Sequence, residues 1–342
     1  MILLTLRRPG CCLLGFLVGV MRLQGAGYER WEFNGNLNSS VEGAPLFEVP
    51  LPPLERPSVR FAREPIGNAE AAVVEFGRGT AFWAWNQSAS APGSPLLNDY
   101  TLILDLKLLD QPVVATALLQ TDLGNLDDAE WSIRSDGSLG IPGSSGGSIR
   151  SGDWVRLALV VDSRAGTLTS YRDGEPVAQS PGVSPNGRWA LGPVFLLMAD
   201  NDGELGTGRI NSLQLRPWPM PADEVKRLGG VTAKGIPEPE PPSLTVTDPV
   251  AGTILNAGGK IRVAWASQSP QGGVRVELVP ETGTPLWLGD APMSAGSFEG
   301  WVPPWQPDGP YEVTVRSIEF SGAVVDSEGP VTLQGSRPRN PR

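Results

Sequence analysis

Histidine is absent from all 342 residues, and that absence removes more chemistry than any other feature of the chain. Without an imidazole there is no Ser-His-Asp triad, no Cys-His dyad and no His-ligated zinc. Cysteine is nearly as scarce, because Cys11 and Cys12 are the two present and both fall at the N-terminus. Residues 1–27 have the order of a secretory signal peptide: Arg7 and Arg8, an apolar run from Cys11 to Met21, then the small residues Gly25, Ala26 and Gly27. Cleavage near Ala26 or Gly27 would leave no thiol, disulfide or cysteine metal site, which excludes redox chemistry. The apolar run is shorter than the roughly 20 residues of a membrane helix and Arg22 interrupts it, so no membrane span is expected after cleavage. A secreted location follows as an expectation, whether extracellular, periplasmic or at the cell surface. Basic residues are also in deficit, 27 against 37 acidic ones, for a formal charge of −10 that loss of the leader arginines makes more negative. Nucleic acid and anionic membranes are therefore poor partners.

What is plentiful is turn chemistry. The chain holds 42 glycines and 34 prolines, spread between short apolar runs rather than gathered in one tract, which describes many turns and hence many strands. Leu102, Leu104 and Leu106 alternate with Ile103, Asp105 and Lys107, the period of a sheet with one wet face. Trp154 to Asp162 alternates again, turns at 164–166, and returns through Leu168 to Tyr171 into an Asp173-Gly174 turn, which makes a hairpin. Pro221, Asp223 and Glu224, then Lys226, Arg227 and Gly229, specify one short capped helix. The stretch 229–243, rich in Pro, Glu and Gly, reads as a semi-rigid linker. Beyond it, seven short strands are expected: 244–246, 260–264, 274–279, 286–288, 296–301, 311–317 and 323–333. That is an immunoglobulin-like count and spacing. The organisation read from the chain is a signal peptide at 1–27, a domain at 28–230, a Pro/Glu-rich linker at 231–243, a smaller sandwich at 244–334 and a disordered tail at 335–342.

Three segments carry a family resemblance: RWEFNGNLNSS from Arg30, SGDWVRLALVVDSRAGTLTSYRDGEPVA from Ser151, and FLLMADNDGELGTGRINSLQLRPWPMPADEVKRLGG from Phe195. Together they make residues 28–230 resemble the laminin-G-like, concanavalin A-like jellyroll domains of secreted bacterial proteins. The second block, with PVAGTILNAGGKIRVAWAS, RVELVP and GWVPPWQPDGPYEVTVRS, looks like the Ig-like domains of cell-wall and surface proteins. The resemblance implies an all-β chain of two sandwiches, the first with facing antiparallel sheets, and a binding role toward a glycan or an extracellular or cell-surface protein. It places Trp154 and Tyr171 as structural. For the second block it implies spacing or adhesion.

The candidate site residues follow from oxygen-rich loops and paired indoles. Asp122, Asn125, Asp127 and Asp128 crowd one loop, and Asp200, Asn201, Asp202 and Glu204 another. Calcium takes six to eight oxygens from such clusters, so Asp127, Asp128, Asp200, Asp202 and Glu204 are candidate calcium ligands, while Asp, Asn and Gly equally make turns. Neither loop fits an EF-hand. The expectation places both loops on one rim, with Asp122 and Asn125 touching the ligand. Trp83 and Trp85 share one face of a strand, either stacked on sugar rings or, as is commoner for tryptophan, in the core. Trp301 and Trp305, beside Pro303 and Pro304, are expected to pack. The sugar hydrolases built on this fold carry two or three carboxylates on one strand, and no strand here does. Asp105 and Asp110, an odd number apart, point to opposite faces. The chain is therefore expected not to be an enzyme, with a structural spacer or envelope role as the alternative to binding and glycoside hydrolysis as the remaining one.

Overall fold

The computed structural model describes residues 27–41, 43–51, 59–86, 96–126, 128–201, 203–268, 272–318, 320 and 324–337; residues 1–26, where a signal peptide is expected, Asp127, Asp202 and residues 338–342 lie outside them. Strands and turns account for nearly all of the described chain, and one α-helix occurs among the described residues.

The N-terminal part is a sandwich of two antiparallel sheets. The first runs β13 (Glu175–Pro181), β12 (Thr167–Arg172), β11 (Trp154–Asp162), β6 (Tyr100–Leu108), β15 (Gly208–Arg216), β4 (Ala69–Phe76) and β3 (Val59–Ile66), with β1 (Glu29–Trp31) also on β15. The second runs β10 (Ser144–Gly146), β9 (Leu139–Ile141), β8 (Trp131–Arg134), β7 (Ala115–Gln120), β14 (Val194–Leu197), β5 (Thr80–Trp85) and β2 (Phe47–Pro50). Between them lies the main core, where Leu102, Leu104 and Leu106 of β6 meet Phe82 of β5, Trp131 of β8 and Phe195 of β14. Trp131 keeps its indole N–H satisfied by donating to Ser170 Oγ at 2.8 Å. The β11–β12 hairpin forms in the expected register, Ala158 opposite Tyr171. At the Asp-Gly turn both Asp173 and Gly174 have positive φ, 50° and 88°, as a type I′ turn requires.

Around Ile103 and Asp105 the face of the first sheet expected to be wet is covered. Ile103 and Asp105 are as buried as the leucines between them. The reason is α1 (Ala222–Leu228), capped by Gly229 as its sequence specifies, together with the residues that follow it. Helix and linker lie across the sheet, where Tyr28, Ile103, Ala158, Val160, Tyr171, Trp218, Met220, Val225 and Ile236 form a second apolar layer. The first half of the linker is thus held. Arg156 forks onto Asp105, with Nε to Oδ1 at 2.7 Å and Nη2 to Oδ2 at 2.8 Å, and donates onward to the carbonyls of Leu228 and Gly235. Gln214 and Arg216 both donate to the Pro237 carbonyl. Burial pushes the Asp105 carboxyl above its usual range, with the Arg156 guanidinium opposing it.

The C-terminal part is a second, smaller sandwich. Three strands, β16 (Leu244–Asp248), β18 (Lys260–Ser267) and β21 (Ser297–Trp301), face a sheet of six: β17 (Ile254–Asn256), β24 (Val331–Gln334), β22 (Gly309–Ser317), β19 (Gly273–Pro280) and β20 (Leu286–Pro292), with β23 (Val324–Asp326) on β22. Trp265, Val276 and Val313 sit in its core. Two of its strands differ from expectation: β17, three residues long, is too short to show a period, and the run expected at 323–333 is broken into β23 and β24. Trp301 and Trp305 do not pack in the core; they stand 64% and 48% exposed. Lys260 lies over the Trp301 ring at 5.6 Å, a contact worth about 0.5–1 kcal/mol at an open site. Phe320 reaches the first sandwich, its ring 5.4 Å from Trp218 and 6.5 Å from Tyr28.

Candidate functional site

The site is built where three connections leave the same end of the seven-stranded sheet. Leu196 of β14 pairs with Gln120 of β7 on one side and with Trp83 of β5 on the other. In consequence the loop after β7, the segment before β14 and the end of β5 lie side by side. Asn86, just past β5, fastens the segment before β14 through its backbone N–H to the Pro193 carbonyl and its Nδ2 to the Gly192 carbonyl. An open cavity of about 540 Å³ lies at this end, lined by Thr121, Asp122, Asp128, Glu130, Arg188 and Ala190.

Glu130 is the fixed point of the cavity wall. It is buried, 2% exposed, at the entry to β8. One carboxylate oxygen accepts from Arg188 Nε at 3.0 Å and the other from the Thr121 backbone N–H at 2.7 Å. Arg188 also donates to the Asp128 carbonyl, and Thr121 Oγ1 donates to the Arg188 carbonyl. This closed set holds the loop after β7 against the segment before β14. Asp122 spends its carboxylate on its own loop, accepting from Gly124 N–H on Oδ1 and Leu126 N–H on Oδ2. Asn125 takes the left-handed conformation, φ 49°, that lets the loop reverse.

The outer face of the same sheet carries aromatics. Along β5, Phe82 and Ala84 enter the core, while Trp83 stands 38% exposed beside its cross-strand neighbour Phe47, 46% exposed, and Trp85 is half-buried. The expectation that core burial is the commoner fate of such a pair is overturned here. The alternation that points Phe82 inward turns both indoles outward.

The two acidic loops do not share a rim. Asp122 follows the last residue of β7, whereas the carbonyl of Glu204 accepts from the N–H of Ala117 near its start. Residues 118–120 of β7 and Thr121 lie between those points, so the two loops sit toward opposite ends of the strand. Asp200 is buried, and its Oδ2 accepts from the Glu204 backbone N–H at 3.1 Å. Among the described residues no three Asp or Glu side chains gather to hold a metal ion. Asp127 and Asp202 lie outside those residues, so the donors present do not by themselves make a calcium site. Asp105 is the buried partner of Arg156, and Asp110 accepts from Thr207 Oγ1 beyond the strand.

Asp122, expected to touch a ligand, and Asp128, expected to hold calcium, both line the cavity, together with Glu130 and Arg188, which the loop pattern does not single out. A signal exists for Glu130, a carboxylate set directly before the alternating strand Trp131–Arg134. Arg188 has none, being 58 residues from its partner.

No protein-family model matches the sequence, nor does any curated protein. Solved structures with some likeness include domain 4 of AbnA, a GH43 extracellular arabinanase from Geobacillus stearothermophilus, in complex with arabinotriose. It is 18% identical, with 59% of this chain and 97% of that one covered and a TM-score of 0.42. Trypanosoma rangeli sialidase is 16% identical, with 59% of this chain but 32% of the sialidase covered and a TM-score of 0.43. Ruminococcus gnavus IT-sialidase CBM40 bound to alpha2,3 sialyllactose is 17% identical, with 46% and 96% covered and a TM-score of 0.35. The chain spans about a third of the sialidase's length. Likenesses at this level transfer neither a site nor a ligand to this chain.

Proposed function

We propose that the chain is a secreted, non-catalytic glycan-binding protein, whose first sandwich is a laminin-G-like jellyroll and whose second is an Ig-like spacer. The observation that carries the binding role is the conjunction at one sheet of an open polar cavity and outward-facing indoles. A cavity of about 540 Å³ is within the usual range for ligand sites, but its wall of hydroxyl, carboxylate and guanidinium suits hydroxyl groups rather than an apolar molecule. Trp83 offers the flat apolar face on which the CH side of a sugar ring rests. Glu130 and Arg188 cancel each other, leaving Asp122 and Asp128 as excess negative charge, which favours neutral sugars over acidic ones.

Hydrolysis is disfavoured by the same wall. A glycosidase needs two carboxyl groups free to act as acid and as base or nucleophile. Glu130 and Asp122 have their oxygens engaged in holding loops, which leaves Asp128 alone. The expected partner is thus a neutral glycan on an extracellular or cell-surface molecule.

A glycan array and calorimetry on the full mature chain test this reading. Neutral oligosaccharides should bind and sialylated ones should not, with Arg188→Ala and Trp83→Ala each weakening binding at least about tenfold, the loss of a charge-assisted bond or a stacked ring. An array blank with calcium and with chelator would sink it. Calcium itself is read from the melts: a specific ion raises the melting temperature by mass action, and no change on chelation removes it from the proposal.

A further inference from the structure

A second cavity lies on the opposite sheet, well away from the first. It measures about 160 Å³ and is lined by Glu32, Asn34, Ala72, Asn211, Lys234 and Gly235. Its floor is a β-bulge in β15, where the register against β6 slips between Ile210 and Ser212. Bulges re-aim side chains, and this one leaves Asn211 and Ser212 under the linker rather than one on each face. Asn211 is 4% exposed and donates Nδ2 to the Ala72 carbonyl, but its Oδ1 has no partner; Ser212, fully buried, has none for Oγ. Each such orphan costs about 1–3 kcal/mol, and Asn211, which lines the cavity, is the one whose acceptor oxygen lacks a donor there. The roof is Gly235, where a Cβ would come within 2.9 Å of Ser212 Cβ, and Arg156 pins it by donating to its carbonyl. The wall is strained: buried Phe33 is held at φ 49°, unusual for a bulky side chain, between Glu32 and Asn34.

The charges decide what fits. Glu32 is paired with Arg30, and Lys234 adds a further positive charge at the mouth, so a metal cation is disfavoured. An anion would set its oxygens against Asn211 Oδ1, whose amide Nδ2 is already committed to the Ala72 carbonyl. What remains is a neutral donor, and the volume corresponds to about five waters, or one sugar ring in their place. We propose that this cavity is a second ligand site, which takes a neutral polyhydroxyl ligand no larger than one sugar ring, its hydroxyls donating to Asn211 Oδ1 and accepting from Lys234.

The test titrates the mature chain with glycerol, D-xylose and D-glucose, and with ammonium chloride and sodium acetate as ionic controls. The side-chain amide signal of Asn211 and the backbone amide signal of Gly235, which also lines the cavity and is present in every variant, are followed by NMR. At least one polyol should give a saturable millimolar shift that Arg188→Ala leaves intact, which separates this site from the first. Asn211→Leu should weaken binding about tenfold, and Lys234→Ala, an exposed substitution safe for folding, severalfold. No saturable shift with any polyol, a shift with the salts instead, or unchanged affinity in both variants would overturn the proposal and leave a cavity filled by water alone.

Discussion

At the scale of single residues the sharpest dependence is on Arg156. Its guanidinium is 2% exposed, is matched by a fully buried Asp105, and supplies two further bonds to the carbonyls that anchor helix and linker. Arg156→Ala would leave a buried carboxylate and two carbonyls without donors, a loss expected to cost about 3–5 kcal/mol in urea unfolding. Replacing both partners, Arg156→Met with Asp105→Leu, should recover part of that and not all, because the Leu228 and Gly235 carbonyls stay orphaned. Full recovery would mean that the carbonyl bonds contribute nothing. Trp83→Ala is the contrasting case. Its indole is 38% exposed and belongs to none of the buried clusters, so stability should fall by about 1 kcal/mol while the proposed glycan binding weakens at least about tenfold.

At the scale of elements, strands β3, β4, β6 and β15 are stitched on their outer face by charge. Arg209 donates to both Glu75 and Glu64, Lys107 pairs with Glu64, and Arg60 adds a second bond to Glu75. The Arg209 guanidinium draws the Glu75 carboxyl below its usual range, against the opposing effect of burial, with Arg60 helping. A carboxyl lowered on folding contributes stability above its unfolded value, near 4.5, and loses that contribution as pH falls through its lower folded value. The pair is partly solvated, so the effect is at most about 1 kcal/mol. Arg209→Gln should therefore lower stability more at pH 7 than at pH 3. Equal losses at both values would assign the role of Arg209 to packing.

Across the whole molecule, the two sandwiches touch through Phe320, whose ring sits against Trp218 and Tyr28. The linker before the second sandwich is itself bound to the first, through the Pro237 carbonyl and the ion pair of Arg30 with Glu238. Phe320→Ser should free the second sandwich, seen as a larger radius of gyration by small-angle scattering, with little change in the melting of the first. An unchanged scattering curve would show that the bound half of the linker alone sets the geometry.

Alternation and turn residues were sufficient to determine that this chain is built of strands, that α1 spans one short stretch before Gly229, and that Asp173-Gly174 closes a hairpin, because each is a local preference repeated over neighbouring residues. They also put Trp83 and Trp85 on one face and Asp122 and Asp128 in one loop. Which face met water was decided by the tertiary structure: α1 and the linker cover one sheet, while Trp83 on the other keeps 38% of its surface open to solvent. So were the Glu130–Arg188 wall and the cavity over Asn211, since each joins residues far apart in sequence, and such contacts leave no period in the chain that forms them.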